Sequence, residues 1–367
     1  MSSAGLLSRP LPRDSHPPTE NWPAQFRPVL TKLVAGGREY FGSDEISVEP
    51  LTRVERPFST LLQIRVGTGG CAQGAFVKIL KPRADTPAEI ASMQRNVQRD
   101  FEMTARVRHA LGGCAGLTAV RPIACFPEEL AIVTGEAVGP MLSQVLARRA
   151  AGWPRPSIVR ELSQLLYRVG AWLKAAQDAL PEDHPLDREA MRTYLDKRFT
   201  DLETTGAIRL TTSGRDAIAR CRDRLLRDAT AEGLRRVWIH ADFCPENIIT
   251  RGGDITVLDF MMAKTGTKYH DLAHLFMHLE AMQVKPWFRP AIVARLQRDL
   301  MAGFEPGLTV GRPLFALMLL QHVVCHLLTL QAPVEGRAAR LYRARLHGRH
   351  RRWLAEVAGL GNESWIR

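Results

Sequence analysis

The chain has 367 residues, 45% hydrophobic and 24% charged, with a formal net charge of +12. That is long enough for two lobes, each with its own core, and the composition is that of an ordinary soluble globular protein. Six scattered cysteines with no CxxC pair exclude a zinc-ligand spacing and are expected as reduced thiols in a cytoplasmic protein.

Residues 1–28 carry Pro10, Pro12, Pro17, Pro18, Pro23 and Pro28 and read as a flexible leader or a strap over the first lobe. The Leu6-Leu7 pair is too short for a secretion signal. β-type runs follow at 46–48, 60–66 and 74–80, with a glycine turn at 67–70. Residues 86–111 are helical in pattern. Thr86 and Glu89 form a capping box, Pro87 fits the first helical position, and Gly112-Gly113 ends the run. One or two further strands are expected over 122–133, then a connection over 134–142. The remainder is mostly helical: 157–179, 188–203, 213–231, 271–283, 288–303, 313–331 and 335–358. Short β-type runs interrupt it at 237–239, 247–250 and 255–258. The expected domains are a β-rich lobe over 29–139 and a mostly helical lobe over 140–367, with a cleft between them.

The longest apolar stretch, 314–330, is broken by Gln321, His322 and His326 and reads as a buried helix, so no transmembrane segment is expected. From 281 to 367 there are 13 Lys and Arg against 5 Asp and Glu, densest between Arg337 and Arg352. This run reads as a solvated helix face that packs through Leu341, Leu346, Trp353 and Leu354. A weak association with anionic surfaces is the sharper alternative. No reader motif accompanies the run, so specific nucleic-acid binding is not expected.

The chemistry concentrates in His240-Ala241-Asp242, Asn247 and Asp259. A loop Asp can orient an acceptor hydroxyl and take its proton. Asn247 offers an amide oxygen and Asp259 a carboxylate, both hard ligands suited to Mg2+. A hairpin turning at 251–254 would bring those two to the same end. Each acid alone could simply cap a turn, but the ordered set is a phosphoryl-transfer pattern.

This stretch resembles the aminoglycoside phosphotransferase and choline kinase group, whose signature is His-x-Asp-x4-Asn followed by an Asp at the end of the next strand. Tyr269-His270-Asp271-Leu272-Ala273 is similar to the group's short helix start. The resemblance implies an α+β, bilobal protein-kinase-like fold, with one main helix in the β-rich lobe. It implies a kinase using ATP, or GTP, with Mg2+ to phosphorylate a hydroxyl of a small molecule such as a sugar, a glycan precursor or an aminoglycoside-like compound. Asp242 would be the catalytic base, Asn247 and Asp259 the metal ligands, His240 a structural support, and Asp271 either a helix cap or a support of the catalytic loop. Lys78 matches the strand lysine that reaches the nucleotide phosphates, with Glu102 as its helix partner and Asp100 as the alternative. Residues 132–136 resemble the adenine-holding hinge, which implicates Thr134 and Glu136. One departure stands out. Residues 51–60, where the group commonly has a glycine-bearing phosphate loop, contain no glycine; Ser59 or backbone amides are the candidate contacts there, with Arg53 or Arg56 adding charge. The alternative reading is a catalytically weak, nucleotide-binding scaffold acting through its basic C-terminal face.

Overall fold

The structure is a computed structural model that describes residues 22–182, 184–185, 187–231 and 235–358. The chain divides into two compact units. One comprises the chain up to Gly139 together with Thr256–Ala263; the other comprises Pro140–Ile255 and Lys264 onward.

The first unit is built on a sheet. After α1 (Arg27–Ala35) and α2 (Gly37–Phe41) come β1 (Ile46–Glu55), β2 (Ser59–Thr68) and β3 (Cys71–Leu80). Next are α3 (Pro87–Ala110), β4 (Leu117–Ala119), β5 (Pro122–Phe126) and β6 (Ala131–Gly135). The strands form an antiparallel sheet in the order β1-β2-β3-β6-β5. Alternation sorts the side chains onto two faces. Val48, Ile64, Val77 and Val133 point to one face and pack with Trp22, Phe26, Leu30 and Leu33. Leu80 and Ile132 point to the other, where α3 contributes Val97, Met93 and Phe101. Thr86 Oγ1 accepts the Glu89 N–H at 3.3 Å and Pro87 opens α3, so this helix starts where its cap dictates.

The leader expectation needs correction at its end. Residues 1–21 lie outside the described residues, but Trp22 and Phe26 are buried in the core. Pro28 sits at the start of α1, where its missing N–H costs nothing.

The second unit holds α4 (Leu142–Arg149), α5 (Pro156–Ala179), β7 (His184–Pro185), α6 (Arg188–Thr204), α7 (Thr212–Ala231), β8 (Arg235–Ile239) and β9 (Ile248–Arg251). β10 (Asp254–Val257) then carries the chain into the first unit. The chain returns through β11 (Lys264–Thr267), α8 (His270–Met282), α9 (Pro290–Phe304), α10 (Pro313–Thr329) and α11 (Arg337–Ala358). β8 pairs antiparallel with β7 and β11. Helices α5 and α9 approach so closely at Gly170 and Gly303 that each helix backbone occupies the space of the other's missing Cβ. Helix α10, as expected, is buried over most of its length. Among the described residues no helix is long and apolar enough to cross a membrane.

The basic helix α11 packs through Leu346, His350 and Leu354, one per turn. Leu341, expected in that stripe, is exposed instead, because it lies off this face. Arg349 Nε donates to Glu280 Oε1 at 2.7 Å, and Arg343 Nη1 donates to the Leu330 carbonyl at 3.2 Å. Part of the basic run is therefore structural, while Arg337, Arg340, Arg345 and Arg352 remain exposed.

Candidate active site

In the first unit, Lys78 lies on the sheet face that α3 covers, since Leu80 two residues on packs there. Its Nζ donates to Asp259 Oδ1 at 2.8 Å and lies 3.7 Å from Asp100 Oδ2. Burial alone would lower the Lys78 pKa. The Asp259 and Asp100 charges outweigh it and hold the ammonium above its ordinary value. Asp100 Oδ1 also accepts the Phe260 N–H at 2.8 Å, so one carboxylate fixes both the lysine and the residue after Asp259. Asp259 adopts φ +62°, in the left-handed region, a conformation costing roughly 1–2 kcal/mol for a non-glycine residue. Arg56 also acts on Lys78 through its charge, which works against the two carboxylates.

The helix partner expected at Glu102 is Asp100. Val97, Asp100, Thr104 and Val107 recur every three or four residues and form the buried face of α3. Glu102 is rotated about 200° from Asp100; it is exposed and accepts from Gln98 Nε2 at 2.9 Å.

The β1–β2 connection is a tight hairpin, not a long loop. Arg56 N–H donates to the Ser59 carbonyl at 2.9 Å, and Lys81 N–H donates to the Phe58 carbonyl at 2.9 Å. Arg56, Pro57 and Phe58 form the exposed tip, and Ser59 is buried where β2 begins. The solvent-facing groups of the tip are thus Arg56 and the backbone beside it, while Ser59 is buried. At the other expected nucleotide contact, Thr134 shares the Lys78 face of the sheet, opposite Phe76. Glu136 is engaged twice: its N–H donates to the Gly74 carbonyl at 2.9 Å, and its Oε1 accepts from Gln63 Nε2 at 3.0 Å.

In the second unit the loop after β8 is braced from within. Asp271, fully buried at the start of α8, accepts the His240 N–H at 2.6 Å and the Ala241 N–H at 2.9 Å. Burial would raise its pKa, but hydrogen bonding and charge from His270 and His240 hold the carboxyl below the usual range. Asp271 is a helix-start acid and a loop support at once. Ala241 is left-handed, at φ +64°. His240 Nδ1 accepts the Asp242 N–H at 3.3 Å, so a neutral His240 carries its proton on Nε2. Phe243 stacks on Trp172 of α5 with ring centroids 5.6 Å apart. Asn247 Nδ2 donates to the Asp242 carbonyl and to Asp242 Oδ2, both at 3.0 Å. The amide nitrogen is thereby committed, and the amide oxygen is the atom left to act as a ligand. Cys244 is buried and its thiol is pushed up to about 12, chiefly by burial, so it is no nucleophile.

The sequence profile of the phosphotransferase enzyme family matches residues 62–314. The chain belongs to that family. Solved structures with a similar fold include a choline/ethanolamine kinase family protein from Mesorhizobium loti, at 16% identity and TM-score 0.52, over 90% of this chain and 95% of that one. The streptomycin–ATP–APH(2'')-IIa ternary complex has 13% identity and TM-score 0.52, over 89% and 96%. A thermostable mutant of aminoglycoside phosphotransferase APH(4)-Ia has 20% identity and TM-score 0.50, over 88% and 98%. No curated protein sequence matches. The sheet-rich first unit and helical second unit of this phosphotransferase agree with the expected α+β kinase-like class. Sequence reasoning missed the Trp172–Phe243 stack, since nothing along the chain links those positions. It also passed over the His-x3-His pairs at 274/278 and 322/326, whose spacing puts each pair on one helix face.

Proposed function

We propose that this phosphotransferase uses ATP with Mg2+ to phosphorylate a hydroxyl of a small molecule, with Asp242 as catalytic base and Asn247 and Asp259 as metal ligands. The observation that carries the reading is that both signature clusters are assembled: Asp242 with Asn247, and Lys78 with Asp259. Asp242 would orient the acceptor hydroxyl and take its proton, while Asn247 keeps that carboxylate in position. Lys78, steered by Asp100, would hold nucleotide phosphate oxygens. Bound magnesium would neutralise charge on the phosphates during transfer. Arg56, at the exposed hairpin tip, would assist in place of a glycine loop. The adenine would lie along Phe76 and Thr134.

For the acceptor, a net charge of +12 favours a neutral or anionic sugar, polyol or glycan precursor over a polycationic aminoglycoside. Reliance on ATP and six free thiols suit the cytoplasm. The scaffold alternative is weakened by the intact lysine, base and metal-ligand set, and by the internal commitments of Arg343 and Arg349.

Nucleotide turnover against a panel of hydroxylated metabolites, with ATP or GTP and with or without Mg2+, tests this. Asp242→Ala and Asp259→Ala should each cut turnover by about 10²–10⁴-fold while leaving the circular dichroism spectrum intact. Turnover that persists in both variants would overturn the assignment.

A further inference from the structure

Helices α8, α10 and α11 bring several histidines together inside the second unit. His274 and His278 are one turn apart on α8, and His322 and His326 are one turn apart on α10. His274 Nε2 and His278 Nε2 share a hydrogen bond at 3.3 Å, which an ion bound to both would replace. Two nitrogens bound to one tetrahedral zinc at the usual bond length are separated by about 3.3 Å, so this pair already has the spacing of two ligands. His326 adds a third nitrogen, and the three ligand atoms lie within 4.8 Å of one another. To close that triangle onto one ion, the widest nitrogen pair approaches by up to about 1.5 Å.

Two further observations point to a ligand. Both ring nitrogens of fully buried His350 are without a hydrogen-bond partner. His350 stands behind His326, with ring centroids 5.5 Å apart. Orphaned nitrogens of this kind are costly unless something occupies the cluster. The imidazoles are also in the state a metal requires. Burial pushes His278 and His326 down to about 4, and His274 well below its ordinary value, so all three are neutral near pH 7. The same three rings are only partly buried, which leaves a route for an ion. His322 is different: its Nε2 donates to the His270 carbonyl at 2.9 Å, which commits it to the helix start beside Asp271.

We infer that His274, His278 and His326 form a binding site for a divalent transition-metal ion of the zinc class, tying α8 to α10. Imidazole donors select such ions over Mg2+, so this site is chemically separate from the oxygen ligands Asn247 and Asp259. Its fourth position is open to water. The ion would secure α8, whose first turn supplies the Asp271 carboxylate that holds the loop bearing Asp242.

The test uses the full chain, free of any histidine tag and stripped with a chelator. Zinc titrated in by calorimetry should bind with a stoichiometry of one and raise the thermal midpoint. Cobalt should give a visible absorption band without the thiolate charge-transfer signature. His278→Gln and His326→Gln should each abolish both the bound equivalent and the thermal shift. His322→Gln and Asp259→Ala should retain them. Should His326→Gln fold poorly, His278→Gln alone carries the comparison, with its melting in chelator matched to the parent chain. A chain that takes up no zinc, or one whose zinc-dependent shift survives in His278→Gln, overturns the proposal.

Discussion

Asp100 and Glu102 are two positions apart on α3, yet only Asp100 meets Lys78. Removing one charge from a buried ion pair is costly because its partner stays desolvated. Asp100→Asn should therefore lower kcat/KM for ATP by about 10–100-fold, whereas Glu102→Gln should stay within about twofold. Steady-state kinetics at varied ATP would show it, and the opposite ranking would return the role to Glu102. The contrast also marks what a sequence can say at this scale. Asp242, Asn247 and Asp259 were legible because their order along the chain is itself the pattern. Choosing between two acids on one helix needs the helix phase, and the bracing of His240 and Ala241 by Asp271 needs the fold.

Helices α5 and α9 show how an element can depend on the absence of a side chain. A Cβ on Gly303 would stand 1.9 Å from the Tyr167 carbonyl oxygen, and one on Gly170 would stand 2.1 Å from that of Leu300. Backbone cannot yield as a flexible side chain can, so the helices would have to separate. Gly303→Ala should thus destabilise the second unit by about 1–3 kcal/mol, even though alanine favours helix. Denaturant melts would report it, and an unchanged midpoint would mean the helices reposition freely. Long helices with a clear apolar period, such as α5, were legible in the sequence. The amphipathic α1 was hidden by its proline-rich approach. β11, Lys264–Thr267, has no large apolar residue and is a strand only because β8 supplies its partner.

At the scale of the whole molecule, chain order and unit membership part company. The first unit recovers Thr256–Ala263 after more than a hundred residues spent in the second. That returning segment is integral to it. Val257 accepts the Val120 N–H at 3.0 Å, Phe260 is fully buried, and Asp259 receives Lys78. A linear search for two consecutive domains, 29–139 and then 140–367, assigns Asp259 to the wrong one, because adjacency in sequence says nothing of this return.

The turn between β9 and β10 gives that threading a practical meaning. Gly252 and Gly253 both have positive φ, and Gly252 is exposed. A chain divided there yields one piece with Lys78, Asp242 and Asn247 and another with Asp259, and neither piece holds all of either unit. Co-expressed, the halves should reassemble and recover phosphotransfer; expressed singly, each should be inert. The protein thus carries a ready-made cut site for a two-part conditional enzyme, assayed by whether activity appears only when both genes are switched on.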